Sequence, residues 1–209
     1  MQDTQGRDGS FALRTDFLSS SEIAELGLGH VGHSVSISRH ALLFAPGRIR
    51  IGDYSRIDAF CIISASDEGV TIGRHVHISA YVSILGRRSV RIGDFATISV
   101  RCSIFSSNDD YSGATMTNPT IPDQFRGSID APVVIGAHAI LGAAVTVLPG
   151  VFIGESASIG AGSLIKSDVP NSVIAAGVPA QIIRKRRLEH RALADKFLRG
   201  CEAQRENGD

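Results

Sequence analysis

Aliphatic residues recur in this 209-residue chain at a step of six, and that step restricts its fold more than any other feature. Ile51, Ile57 and Ile63 form one trio. Ile72, Ile78 and Ile84 begin 21 residues later, and Ile92, Ile98 and Ile104 begin 20 residues after that. The pattern resumes with Ile135, Leu141 and Val147, continues with Ile153, Ile159 and Ile165, and opens a last face at Ile174. Val31, Ile37 and Leu43, 20 residues ahead of the first full trio, make an opening turn.

A second register runs through the same stretch. Four residues after the aliphatic position stand Ser55, Cys61, Val76, Val82, Ala96, Cys102, Ala139, Val145, Val151, Ala157 and Ser163, all small or modest in size. Asp67 and Arg88 depart from this after the third member of a trio, where extra residues enlarge a corner. Glycine often follows the aliphatic residue, as at Gly52, Gly73, Gly93, Gly136, Gly142, Gly154 and Gly160. Three short strands per turn make a triangular prism, each turn hydrogen-bonded to the next at roughly 4.8 Å. Aliphatic side chains stack inside the faces, small residues fill the corners, and glycine relieves crowding at the bends. One coil cannot bury its interior alone, so stability belongs to the stack. The chain therefore reads as an all-β parallel β-helix. Spacing leaves its handedness open, although general topology favours right-handed crossovers. Composition agrees, because 22 glycines, 6% aromatics and no tryptophan suit a narrow aliphatic core.

Between Ile104 and Ile135 the period fails. The intervening residues are polar and rich in Asn, Asp, Ser, Pro and Gly, and they read as a long loop, 106–132, thrown out of the third face. A loop of that length in a compact domain is functional or disordered; in-phase resumption of the repeat favours function. A short helix over Ser19 to Leu26, capped by Ser20 or Ser21 with Glu22 in its first turn, belongs to an N-terminal segment, 1–28. The prism occupies 29–184. An amphipathic helix over Arg186 to Leu198, with Leu188, Leu193 and Phe197 near one face, opens a C-terminal tail, 185–209. It docks on the prism or on a neighbouring subunit.

Twenty-one basic and 21 acidic residues cancel, which argues against nucleic acid or an anionic membrane as the main partner. The polar start, Met1 to Arg14, offers no apolar stretch for a signal peptide, and no segment is long enough to span a bilayer. Three widely spaced cysteines, Cys61, Cys102 and Cys201, fit a reducing cytoplasm. Cys61 and Cys102 fall in small inward slots and read as buried spacers.

Residues 132–184, PVVIGAHAILGAAVTVLPGVFIGESASIGAGSLIKSDVPNSVIAAGVPAQIIR, resemble the hexapeptide-repeat acyltransferases, in particular the galactoside- and maltose-acetyltransferase-like enzymes. FLSSSEIAELG, RIDAFCIIS at residues 56–64, and SSNDDYSG with MTNPTIP in the loop resemble a subgroup associated with surface-polysaccharide and amino-sugar assembly. The resemblance implies a left-handed β-helix and a homotrimer with active sites between subunits. It also implies acetyl transfer from acetyl-CoA to a sugar hydroxyl or to the amine of a nucleotide-linked amino sugar. Its G-A-G-S-L-I-K and A-G-V-P-A elements look like those that line the family's acetyl-CoA site. One departure stands out. Where the galactoside-type enzymes present a histidine in a T-G-H-P-like stretch, this chain has Ser107-Asn108-Asp109-Asp110.

Acyl transfer from a thioester needs a base for the attacking group and donors for the oxyanion. Of seven histidines, His138 is the first candidate. It stands in the first coil after the loop, which would close over it; an exposed turn histidine is the other reading. His77 is second, because it precedes Ile78 and so faces outward, where the loop of a neighbouring prism could meet it; interface packing is its alternative. His30, His33, His40, His75 and His190 rank below. Asp109 and Asp110 either polarise the histidine, bind a substrate amine, or cap the turn at Tyr111 to Gly113. For the pantetheine arm, Gly142, Ala143, Gly160, Ala161, Gly162 and Ser163 offer a groove without large side chains, as the family resemblance implies, continued by Ala176 and Gly177. Lys166, Arg184 and Lys185 are the candidates for its phosphates, and an amide near Gly142 or Ala143 for the oxyanion. The same small residues also let coils stack. Two other functions compete: a non-catalytic scaffold, and a metal-dependent hydratase, which needs three converging histidines.

Overall fold

The computed structural model describes residues 16–206, so the polar stretch 1–14 lies outside the described residues. Three parallel sheets wrap one axis. The first face stacks strands His30–Val31, Ile49–Ile51, Val70–Ile72, Val90–Ile92, Val133–Ile135 and Phe152–Ile153. The second stacks Ser36–Ile37, Arg56–Ile57, His77–Ile78, Thr97–Ile98, Ile140–Leu141 and Ser158–Ile159, and ends in Val173–Gly177 and Ala180–Lys185. The third stacks Leu42–Phe44, Ile62–Ser64, Ser83–Leu85, Ser103–Phe105, Thr146–Val147 and Leu164–Ile165.

Both sequence registers end inside from Ile51 to Ile165, while Val31 and Leu43 are half-buried and the inward residue of the last face, in register with Ile159, is Ala175 rather than the expected Ile174. The nine isoleucines of the three trios from Ile51 to Ile104 are at most 2% exposed, and so are the eleven small corner residues from Ser55 to Ser163. Each buried isoleucine contributes about 1.5–3 kcal/mol relative to exposure. The prism is interrupted but not shifted by the excursion, because Val90 to Ile92 pair in register with Val133 to Ile135.

The corners differ from expectation in one respect. The left-handed backbone of most bends falls on non-glycine residues, among them Tyr54 (φ 57°), Phe60 (62°), His75 (54°), Tyr81 (61°), Phe95 (59°), Arg101 (60°), His138 (58°) and Ala144 (57°), with Gly162 (69°) an exception. The glycines stand two residues earlier, for another reason: a Cβ on Gly136 would lie 2.5 Å from the Glu155 nitrogen of the next coil. Glycine here permits axial contact between coils, and Gly136→Ala would force them apart.

The first helix, α1 (Ser20–Glu25), is capped by Ser19 rather than by Ser20 or Ser21. Ser19 and Glu22 form a reciprocal capping box, and Arg39 grips Glu22 at 2.7 and 3.0 Å. The second, α2 (Glu189–Glu206), starts later than the sequence pattern predicts and docks on the chain's own prism. Its inward residues are His190, Arg191, Ala194, Leu198 and Cys201, while Leu193 is 66% exposed. The hexapeptide pattern also misses the ending: after Gly177 the chain turns back, and Ala180–Lys185 runs antiparallel to Val173–Gly177. The excursion has structure of its own, since Ser107–Asp109 pairs antiparallel with Ser128–Asp130. Among the described residues no helix is long and apolar enough to cross a membrane.

Candidate active site

Coil stacking turns residues about 20 apart in sequence into straight rows. One row on the second face is Asp58, Ser79, Ser99, Gly142, Gly160 and Ala176, fixed by the bonds Asp58 N–H to Ile78 O, Ser79 N–H to Ile98 O, Ser99 N–H to Leu141 O, Gly142 N–H to Ile159 O and Gly160 N–H to Ala175 O, all 2.8–3.0 Å. From inside, Cys61 Sγ donates to Ser79 O (3.0 Å), Cys102 Sγ to Gly142 O (3.1 Å) and Ser163 Oγ to Gly160 O (2.6 Å). The two thiols are thus buried tethers for this row, and burial pushes the Cys61 thiol up to about 11.

The upper end of the row is polar. His77 Nε2 lies 2.8 Å from Asp58 Oδ2, and Arg56 Nε donates to Asp58 Oδ1 at 2.6 Å. Burial would raise the Asp58 carboxyl, but the bonds from His77 and Arg56 outweigh it and hold the pKa below its ordinary value. Asp58 is therefore an ionised acceptor at neutral pH, so Nε2 of His77 donates to it and Nδ1 is the ring nitrogen left open. The histidine side chain remains 46% exposed. A half-exposed imidazole oriented by a carboxylate can accept a proton from an attacking group.

The lower end is bare. At the corner between the second and third faces, rings stack along the axis: His40 on Phe60 at 5.4 Å and Phe60 on Tyr81 at 5.0 Å, with the Arg101 guanidinium 6.0 Å from the Tyr81 ring. The next left-handed positions are Ala144 and Gly162, and the ladder stops. Below Arg101 the corner presents Ala143, Ala144, Ala161 and Gly162 beside Gly142 and Gly160. This smooth strip leads directly to Ser99, one coil away, and then to Ser79 and His77.

The remaining expected residues are distributed as follows. His138 sits at the opposite end of the second face, at the corner shared with the first. Its ring stacks on Phe95 (5.0 Å, 2°), Phe95 on His75 (4.8 Å, 8°) and His75 on Tyr54 (4.9 Å, 11°), with His33 edge-on to Tyr54. What covers it is α2, through His190 at 5.5 Å, together with Arg186 just before the helix, which donates to its carbonyl (2.9 Å), and not the 106–132 excursion, which leaves the corner between the third and first faces. Burial first, then the charges of His190, Arg191 and Arg186, lowers its pKa. Asp110 is spent on a turn, accepting from Ser112 N, Thr115 N and Thr115 Oγ1 at 2.8–3.0 Å, which holds it at about 2. Asp109 is exposed, with no hydrogen bond or ion pair to its carboxylate among the described residues. Loop and His138 are therefore not brought together within one chain.

Of the cofactor candidates, Gly142, Ala143, Gly160, Ala161, Gly162 and Ala176 share the bare strip, and Gly177 closes it. Ser163 does not belong there: it is 1% exposed, points inward, and accepts from Gly177 N at 3.1 Å. The Gly142 amide is spent on Ile159 O, which leaves Ala143 as the oxyanion candidate. Lys166 lines a cavity of about 230 Å³ at the prism's C-terminal end with Pro179, Gln181 and Ile182. Arg184 and Lys185 are exposed on the final strand, opposite Ile174 and Val173. Sequence reasoning missed Asp58, Ser79, Ser99 and Arg101; the 20-residue coil length could have found them by aligning each with its neighbours on the second face. No group of three His, Cys, Asp or Glu among the described residues is placed to hold a metal ion.

Comparison with known proteins bears on this arrangement. Over 170 residues the chain is 41% identical to dTDP-4-amino-4,6-dideoxy-D-glucose acyltransferase from Escherichia coli, spanning 81% of this chain and 88% of that protein. Galactoside O-acetyltransferase of Lactococcus lactis is 47% identical over a shorter 73 residues, 34% of this chain and 35% of that protein. Among solved structures, AntD, an N-acyltransferase from Bacillus cereus in complex with dTDP and 3-hydroxybutyryl-CoA, superimposes with a TM-score of 0.86 at 37% identity, covering 90% of this chain and 98% of the other. A variant of AntD was solved with dTDP-4-amino-4,6-dideoxyglucose and coenzyme A. No protein-family model matches the chain.

Proposed function

Because the chain belongs to the hexapeptide-repeat acyltransferases, we propose that it moves an acyl group from acyl-CoA to the 4-amine of a dTDP-linked amino sugar. The observation that carries this reading is the single row on the second face, in which a side-chain-free strip at Gly142, Gly160 and Ala176 runs straight into the Ser99, Ser79 and Asp58–His77 cluster. A pantetheine arm laid on the strip points its thioester at the polar end. At roughly 4.8 Å per coil, Ser79 lies about 10 Å from Gly142, within reach of an acyl group and an incoming sugar.

His77 then takes the proton as the amine attacks the thioester carbonyl, Asp58 holds the imidazole tautomer, and the Ala143 amide receives the oxyanion. The ammonium sheds one proton to solvent before attack, His77 hands the proton it takes to the departing CoA thiolate, and the amide remains on the sugar. His138 has no part in this step. Asp109 holds the ammonium before attack. Because its loop leaves the corner opposite the second face, it meets the row only on a neighbouring copy, which supports a homotrimer with sites between subunits. An acyl-CoA donor and the buried thiols of Cys61 and Cys102 support a cytoplasmic enzyme; the O-acetyl transferase of lipopolysaccharide biosynthesis that matches 34% of the chain supports a role in surface polysaccharide assembly.

The test is direct. Purified protein with acetyl-CoA and dTDP-4-amino-4,6-dideoxyglucose should yield the N-acetyl product by mass spectrometry, and acetyl-CoA should raise Tm by mass action. Absence of transfer from acetyl-, propionyl- and 3-hydroxybutyryl-CoA alike would overturn the reading.

A further inference from the structure

The residues that open each bend between the second and third faces form a row of their own: Ala59, Ala80, Val100, Ala143 and Ala161. Backbone bonds keep it in line. Tyr81 N–H donates to Ala59 O, Arg101 N–H to Ala80 O, Ala144 N–H to Val100 O and Gly162 N–H to Ala143 O, at 2.8–3.1 Å. Val100 alone interrupts this run of methyl groups, and its side chain is turned outward, 37% exposed. The packing of the prism does not call for it. Ile92, Ala96, Ile98, Cys102 and Ile104 fill the core of that coil, and the same corner takes alanine in the coil above and in the coil below.

Val100 divides the row at an informative place. Below it lies the strip assigned to the pantetheine arm, ending at Ala143, whose amide receives the oxyanion. Above it, Ala80 and Ala59 form a second shelf. Its corner wall is made by the rings of Tyr81 and Phe60, 5.0 Å apart, and by the Arg101 guanidinium, 6.0 Å from the Tyr81 ring. Ser79 and Ser99 border the shelf on the other side. At roughly 4.8 Å per coil, with carbons in contact about 3.5–4.0 Å apart, one methyl group fits over Ala143 before the branched Val100 side chain is met.

Resting on the acyl-CoA reading above, we propose that Val100 sets the length of the acyl group this enzyme transfers. With its oxygen on the Ala143 amide, the bound thioester points its acyl methyl at Val100 and leaves the Ser99 and Ser79 side open to the amine. Acetyl ends against the isopropyl group. A propionyl or butyryl chain must bend into the path of the acceptor, and so loses its alignment for attack. The second shelf is thus an acyl pocket that Val100 closes. Without the branch the two alanine runs merge, and a four-carbon chain lies on Ala80 against Tyr81.

Donor competition tests the gate. The parent enzyme and Val100→Ala are assayed with acetyl-, propionyl- and butyryl-CoA at a saturating concentration of dTDP-4-amino-4,6-dideoxyglucose, and kcat/KM is read for each donor. The parent should prefer acetyl. Val100→Ala should move the butyryl-to-acetyl ratio toward butyryl by on the order of tenfold to a hundredfold, the discrimination that a methylene or two commands in an apolar pocket. Val100→Ile, one methylene larger, should move the ratio the other way. Alanine already stands at the other positions of the row, so the fold accepts the variant. CoA without an acyl group should bind the parent and Val100→Ala alike by calorimetry, which separates a gate from general damage to the strip. An unchanged donor ratio in Val100→Ala, or a parent as fast with butyryl- as with acetyl-CoA, would overturn the gate and leave the acyltransferase reading standing. A parent that transfers from none of the donors would instead sink that reading, and the gate with it.

Discussion

Two strips of the prism use histidine in opposite ways. Along the corner of the first and second faces, His75 and His138 lie flat against Phe95 on the same axis, with Tyr54 beyond, and α2 seals them from outside. On the second face, His77 has one nitrogen engaged by Asp58 and the rest of its ring open. The first strip offsets the cost of left-handed backbone, about 1–3 kcal/mol per residue, with ring stacking worth about 0.5–1.5 kcal/mol per pair. The second spends nothing on stacking, and its far corner gives up ring contacts at Ala144 and Gly162 to leave a groove. The same bend serves packing where it bears a ring and binding where it bears almost nothing.

The comparison is tested hardest at His77. His77→Gln keeps a hydrogen bond to Asp58 but lacks a base, so turnover should fall by about 10²–10⁴-fold with acetyl-CoA binding retained. Steady-state kinetics and calorimetry separate the two; turnover within tenfold of the parent would remove His77 from the chemistry. Next in size, Ala144→Phe extends the ladder by one ring at a residue whose φ of 57° matches that of Phe60 at 62°. The prism should keep its Tm while kcat/KM drops about a hundredfold through a displaced thioester. Normal acetyl-CoA affinity in that variant would show that the arm lies elsewhere.

How much of this contrast could be read from sequence depends on which direction the argument runs. Along the chain, a step of six identified every buried isoleucine from Ile51 to Ile104, and a second step identified Cys61 and Cys102 as spacers, because both follow from strand alternation. Across coils, the sequence is silent until residues 20 apart are stacked. Asp58 precedes His77 by 19 residues and Arg186 follows His138 by 48, so their contacts depend on coil length, corner insertions and the return of Ala180–Lys185. His138 was drawn to the loop because the two are neighbours in sequence; the prism sends the loop from one corner and the histidine to another. Ser163 was drawn into the groove by its glycine neighbours, whereas its position in the second register already marked it as inward.

The packing strip should respond to pH. Burial lowers the pKa values of His75, His138 and His190, aided by Arg74 at the first, by His190, Arg191 and Arg186 at the second, and by Arg186 at the third. Folded values below the unfolded value of about 6.5 mean that the unfolded chain binds more protons in between. The stability these groups contribute is therefore present above about pH 6.5 and is lost as pH falls through their folded values. Tm should decline between about pH 7 and pH 5, with α2 amides gaining hydrogen exchange first. His75→Phe combined with His138→Phe should flatten that decline; an unchanged slope would mean that other groups set it.

The smallest effect expected is the most pointed. His138→Phe continues the stack Tyr54, His75, Phe95 with another ring, keeps the left-handed backbone, and leaves the carbonyl that Arg186 binds. It removes the one histidine that stands beside the loop in sequence. If the ring at this corner is packing, turnover holds within a factor of about two, as for a substitution remote from the chemistry, and stability shifts by less than about 1.5 kcal/mol for a volume-matched exchange. A loss of tenfold or more in kcat, with Tm unchanged, would place a working imidazole under α2 and erase the distinction between the two strips. Because the variant preserves every contact of the ladder but not its titratable nitrogen, packing and proton transfer cannot give the same answer.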